Sequence, residues 1–203
     1  MKKVLLTLAA VACAASVFAQ GTVVFNNRVT GTLITHVYLG GNSQLAGNGP
    51  TDLPAGSTAW GAQFVPLAGS GYTAALLAGP DLLQANPTTT FRTGTGAGFL
   101  AGTTVTLQGV AKDAPSAQMQ MVAWDNKGGT ITDWTAAKAA WQAGQIAAGA
   151  SPIFTVASIG GDFNVPPYMT GLQSFNIYLI PEPSTFALAG LGAAALMIFR
   201  RRK

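Results

Sequence analysis

One histidine, one cysteine and one glutamate occur in 203 residues, and charged side chains make up 9% of the chain. These shortages remove whole classes of chemistry. A His/Cys metal-hydrolase centre needs two or more such ligands at fixed spacing, and they are missing. No Gly-x-Ser-x-Gly elbow exists to hold a serine nucleophile. His36 falls in an apolar run and reads as a packed or surface imidazole on a strand rather than a general base. Gly94-Thr95-Gly96-Ala97-Gly98 has the glycines of a phosphate loop without its Lys and following Ser/Thr, so a turn between strands accounts for it. Two carboxylates suffice for glycoside hydrolysis, but the six aspartates of residues 20–180 are dispersed with no specific spacing. Asp125, Asn126 and Asp133 offer oxygen ligands without the alternating acidic positions and bidentate Glu of a calcium loop. The run from Asp125 to Thr130 reads instead as the turn of a hairpin. The expectation is a body that is not an enzyme and holds no cofactor or metal.

The net charge of +4 suggests a nucleic-acid binder until the charges are located. Lys2 and Lys3 open the chain, and Arg200, Arg201, Arg202 and Lys203 close it. Between residues 20 and 180, five basic residues face six acidic ones, a balance of −1. That body has no basic surface able to neutralise several phosphates, which excludes nucleic acid as a partner.

The basic ends belong to two apolar segments. Met1-Lys2-Lys3 precedes an apolar stretch from Val4 to Val17, and Val17-Phe18-Ala19 supplies the cleavage pattern of a secretory signal, with the cut after Ala19. The apolar core is too short for a stable membrane span. Cys13 as a lipoprotein lipidation site is the lesser alternative, because Ala10 replaces the bulky aliphatic residue that such a signal needs. With residues 1–19 removed, no cysteine remains, so the body relies on core burial rather than disulfides. At the other end, Pro181-Glu182-Pro183-Ser184-Thr185 leads into Phe186 to Phe199, an uncharged run with two glycines and five alanines. Fourteen residues of helix span about 21 Å, against ~30 Å of hydrocarbon. The weak membrane anchor, placed at residues 184–199, is completed by Arg200, Arg201, Arg202 and Lys203 as the stop-transfer cluster on the cytoplasmic side.

That tail resembles the PEP-CTERM sorting signal of Gram-negative, often biofilm-forming, bacteria, in which a Pro-Glu-Pro motif, a short apolar helix and a basic terminus follow in order. Ile180 stands where Val is common in the family. The resemblance implies an exosortase, a membrane-embedded cysteine protease or transpeptidase. It would recognise the sorting motif Pro181, Glu182, Pro183 and Ser184 and cut nearby. The stretch from Met121 to Trp134 and the run from Gly171 to Phe175 also resemble the bodies of PEP-CTERM proteins of Verrucomicrobia-type genomes, a likeness that brings no activity with it.

For residues 20–180, short β-branched and aromatic runs bounded by Gly, Asn and Pro predict strands. They lie at 22–28, 32–39, 58–66, 72–77, 91–93, 103–109, 119–124, 153–156 and 174–179. Phe175, Ile177 and Leu179 alternate with polar residues, which predicts one packed and one wet face. Thr132 or Asp133 is the expected cap of a helix from Trp134 to Gln145, with Trp134, Ala137 and Trp141 on one side. The fold expected is all-β: a jelly-roll or Ig-like β-sandwich with one short inserted helix, flanked by a signal peptide and a C-terminal transmembrane helix. Its domains are 1–19, 20–180 and 181–203.

These features predict an exported surface or matrix protein, processed by signal peptidase and exosortase. It would pass through the inner membrane and take a structural or adhesive role beside exopolysaccharide. The alternative is a carbohydrate-binding module that stacks Trp60, Trp124, Trp134 or Trp141 on sugar rings. Three or more exposed, coplanar tryptophans favour binding; burial of all of them favours a scaffold.

Overall fold

Two runs organise the molecule. Tyr72–Ala78 is apolar at nearly every position and Ser116–Asp125 at every position from Met121 to Trp124. Such continuity marks strands covered on both faces. In the computed structural model, which describes residues 20–181, they are strands β6 and β10, paired antiparallel from Met119↔Ala78 to Asp125↔Tyr72. The expected signal peptide, the membrane helix and the basic tail lie outside the described residues.

Thirteen strands are formed among the described residues. β1 (Gln20–Phe25) and β9 (Thr103–Ala111) make an antiparallel pair, and β2 (Arg28–Val29) pairs with β3 (Leu33–Ile34). The main sheet takes in β4 (Val37–Leu39), β5 (Val65–Pro66), β6, β7 (Leu83–Gln84), β8 (Thr89–Thr90), β10, β11 (Ala147–Ala150), β12 (Phe154–Ala157) and β13 (Phe175–Leu179). Its order is β5-β4-β13-β11-β10-β6-β7, with β12 also on β10 and β8 also on β6. Every pair in it is antiparallel except β4 with β13.

Alternation divides the side chains of β6 and β10 between two cores. Ala74, Leu76, Met119 and Met121 meet Val23 and Phe25 of β1 and Val105 and Leu107 of β9, all buried in one cluster. This sheet-on-sheet packing has the arrangement of a β-sandwich. Ala75, Leu77, Val122 and Trp124 point the other way and pack beneath helix α1 (Trp134–Gln142) through Ala137. The Asp133 carboxylate caps α1 by accepting from the Ala136 N–H at 2.9 Å. The helix stops at Gly144 (φ +69°), where the Gly144 N–H bonds the Trp141 carbonyl and the Gln145 N–H bonds that of Ala140. That pair of bonds is a Schellman stop, and it needs a left-handed residue where glycine stands. The helix therefore ends at Gln142, three residues before the expected end.

Other expectations need correction. The run 58–66 is strand only at Val65–Pro66, and 32–39 breaks at Thr35–His36, between β3 and β4. The turn after Asp125 leads into α1, not into a hairpin partner. Gly94–Gly96 is a 3-10 turn. The wet face expected of β13 is covered: Asn176 is as buried as Phe175 and Ile177. Its amide donates to the carbonyls of Gly40 (2.6 Å) and Ser43 (3.0 Å), and its oxygen accepts from the Leu45 N–H (2.7 Å). The incoming loop after β4 satisfies the polar side chain that alternation assigned to water.

Candidate functional site

Helix α1 crosses the outer face of the main sheet and leaves a cleft of about 700 Å³ at its side. Trp134 and Trp141, two turns apart on α1, form its aromatic wall, with Leu77, Leu82 and Gln120 of the sheet side and the polar groups of Asp81, Thr135, Lys138 and Gln142 around it. The two indoles lie 6.3 Å apart at 42°, and Trp134 is tilted 44° to the fully buried Trp124 beneath it. The Trp141 indole N–H donates to the Tyr178 carbonyl at 2.8 Å, which fixes the ring to β13. The backbone N–H of Trp134 donates to the Gln84 side chain at 2.8 Å. Both indoles are half-buried, each with part of its surface in the cleft.

The tryptophans thus fall between the two expected extremes. Trp124 is core, and its N–H donates to the Ile131 carbonyl. Trp60 belongs to a separate aromatic run, stacked on Tyr38 at 4.5 Å and edge-on to Phe64. Three half-buried tryptophans remain, and they do not share a plane.

The Tyr38 run continues through His36, whose ring lies 4.4 Å from Phe99, and Arg28 sits 4.7 Å over the Phe99 ring. His36 Nδ1 is 2.6 Å from Asp52 Oδ1, and Asp52 Oδ2 accepts from the Ser174 hydroxyl and the Gly49 N–H, both at 2.7 Å. Serine, histidine and aspartate thus meet, but with the carboxylate in the middle. An imidazole takes a serine proton only when it contacts that hydroxyl. This network instead fastens the loop of residues 41–56 to β13, and with it His36 is a packed imidazole. Burial pushes the Asp52 carboxyl upward, but the bonds from His36, Gly49 and Ser174 and the attraction of His36 together bring it below its ordinary 3.8. Burial, with the negative charge of Asp52, pushes the Tyr38 phenol up to about 12.

Because the Asp52 value is lower folded than unfolded, its stabilising contribution is complete above the ordinary value and is lost as pH falls through the lowered one. Thermal unfolding followed from pH 7 down to about pH 2 should show a falling Tm below about pH 4. Asp52→Asn should be less stable than the parent at pH 7 and should flatten that acid limb.

The oxygen groups that the sequence offers to a calcium ion are occupied locally. Asp125 accepts from the Lys127 N–H and Asp133 caps α1, while Asn126 is buried and holds the Ser70 carbonyl, the Thr73 hydroxyl and the Gly129 N–H. No cluster of three or more His, Cys, Asp or Glu residues suited to a metal occurs among the described residues. Asp113, which carried no signal in the sequence, accepts from the backbone N–H groups of Asp162, Phe163 and Asn164, and these bonds lower its carboxyl below 3.8.

β13 ends at Leu179, and the chain leaves through an exposed Pro181. A family model of the PEP-CTERM protein-sorting motif matches residues 179–203. The chain carries a PEP-CTERM motif. The matched motif begins on the last residue of β13, so it is joined to a strand inside the main sheet of the body. The motif supports export, membrane-anchored sorting by an exosortase and delivery to the surface. Pro181 is the one member of the expected sorting set within the described residues; Glu182, Pro183, Ser184 and the stop-transfer cluster from Arg200 lie beyond them but inside the matched segment. Among the described residues, no helix is long and apolar enough to cross a membrane. No curated protein and no solved structure matches the chain.

Sequence reasoning placed Trp134 and Trp141 on one side of a helix but missed the cleft. Lys138 was legible, four residues after Trp134 and three before Trp141. Asp81 and Gln120 were not, because only the pairing of β6 with β10 and the turn after β6 bring them to the same wall.

Proposed function

We propose that this PEP-CTERM protein is a non-catalytic structural or adhesive component of the cell surface or its exopolysaccharide matrix. Signal peptidase removes residues 1–19 after Ala19. The segment 184–199 and its basic tail hold the chain in the inner membrane until the exosortase acts at the Pro-Glu-Pro motif. The observation that carries the reading is the sorting motif joined directly to a β-rich body. The non-catalytic assignment is supported by the carboxylate-centred order of Ser174, Asp52 and His36 and by a cleft whose lining holds one carboxylate, Asp81. A glycosidase needs two. The second reading, a carbohydrate-binding module, is favoured by the half-buried Trp134 and Trp141 in that cleft.

Co-sedimentation with exopolysaccharide from the producing cells tests the role. The purified protein is expected in the pellet, and cells lacking it should form a weaker matrix. Protein left in the supernatant, together with an unaltered matrix, overturns the proposal.

A further inference from the structure

We infer that the cleft between α1 and the main sheet is a binding site for a neutral hexopyranose chain, with Trp134 and Trp141 as the rings on which two sugar units lie. The inference rests on the reading of this protein as a partner of extracellular polysaccharide.

Four observations converge. The volume of about 700 Å³ falls within the range of small-ligand sites, roughly 300–1,000 Å³. The aromatic wall is held in place: Trp141 by its N–H bond to Tyr178, and Trp134 by its contact with buried Trp124 and by the Gln84 bond at the helix start. A rigid aromatic surface loses little entropy on binding and accepts the apolar C–H face of a pyranose. Around it stand groups that donate to and accept from hydroxyls: the Asp81 carboxylate, the Lys138 ammonium and the amides of Gln120 and Gln142. The ion pairs among the described residues are His36–Asp52 and Lys112–Asp162, which leaves Asp81 and Lys138 to water or ligand.

Charge selects among possible chains. One carboxylate and one ammonium share the lining, so a polyanion gains no net attraction and meets a like charge at Asp81. A neutral sugar satisfies both groups. The 42° angle between the indoles also matters. A flat crystalline polysaccharide surface needs coplanar rings, whereas tilted rings suit a single chain that turns from one unit to the next. Trp141 is bonded to the strand that runs into the sorting motif, so the bound chain would lie beside the processing point.

The full-length protein in mild detergent, titrated with cellohexaose, mannohexaose, laminarihexaose and chitohexaose under tryptophan fluorescence and calorimetry, tests this. At least one hexasaccharide should saturate a single site. Trp134→Ala and Lys138→Ala should each weaken binding, the tryptophan change about tenfold or more. Trp60→Ala, in the separate aromatic run, should leave the affinity unchanged. Lys138 is exposed, so its variant reports on binding without disturbing the fold, and thermal unfolding of each variant checks this. Absence of binding by all four sugars overturns the inference, as does binding untouched by Trp134→Ala and Lys138→Ala. Wild-type protein that sediments with exopolysaccharide while the cleft variants do so equally well also overturns it, yet leaves the adhesive role standing. Hexasaccharide binding that depends on the cleft, without exopolysaccharide sedimentation, supports the site and sinks that role.

Discussion

Replacing Pro181 and Pro183 together by alanine should leave the full-length protein uncut in the membrane fraction. Proline lacks a backbone N–H and holds φ near −65°, so Pro181 cannot extend the ladder of β13 and the chain must leave the sheet there. The residue before each proline is also pushed toward extended backbone. Both effects disfavour helix at the motif, and a protease cleft accepts extended chain. Alanine at both positions removes these restraints. Immunoblots of fractionated cells should show the processed form falling to background and the larger precursor accumulating. Thermal unfolding of the body should stay unchanged, because Pro181 is exposed and joins no core cluster. Normal processing and unaltered destination in the double variant would contradict exosortase recognition.

Asn27→Ala should destabilise the body more than Asp52→Asn does. The Asn27 side chain is fully buried between β1 and β2. Its amide donates to the carbonyls of Thr35 (2.7 Å) and Gly98 (2.9 Å), and its oxygen accepts from the Leu100 N–H (2.8 Å). One side chain therefore ties the first corner of the chain to residues 8 and more than 70 positions away. Alanine leaves the Thr35 carbonyl and the Leu100 N–H without partners at a site closed to water, while the Gly98 carbonyl keeps the Val37 N–H. A buried group left unsatisfied costs about 1–3 kcal/mol, so for the two groups a loss of roughly 2–6 kcal/mol is expected, a large part of the ~5–15 kcal/mol typical of a domain. Urea unfolding should show the midpoint falling with the slope unchanged. A change of under about 1 kcal/mol would mean that water or a shifted backbone replaces the amide.

The strands most legible in the sequence were those whose own residues decide their state. Val23 and Phe25 of β1, Thr103–Ala111 and the apolar centre of β10 carry the composition of strands, and the helix was legible from Asp133 and the spacing of its tryptophans. β11 was not. Its sequence, Ala-Ala-Gly-Ala, has little strand preference. It is a strand because β10 and β13 hold it from both sides, and a side chain at Gly149 would collide with the Asn176 carbonyl. The loop of residues 41–64 misled for the opposite reason. Thr58 to Pro66 has strand-like residues, but Asp52, Asn48 and Trp60 bind it through side chains, with the Asn48 amide on Pro54 and the Trp60 indole on Gly47. Of the candidate site, the helical rings were legible and the sheet wall was not, since local pattern carries no information about which strands become neighbours.

The position of β13 decides how the body meets a pull from its own tail. The strand lies inside the sheet, parallel to β4 on one side and antiparallel to β11 on the other, and its far end passes directly into Pro181. Tension along the tail therefore runs lengthwise through the strand. The bonds to both neighbours, and those of Asn176 to the loop after β4, must slide together before any one gives way. A hairpin at the sheet margin would unzip one rung at a time. Pulled from its C-terminal end, the body would therefore resist traction as a unit.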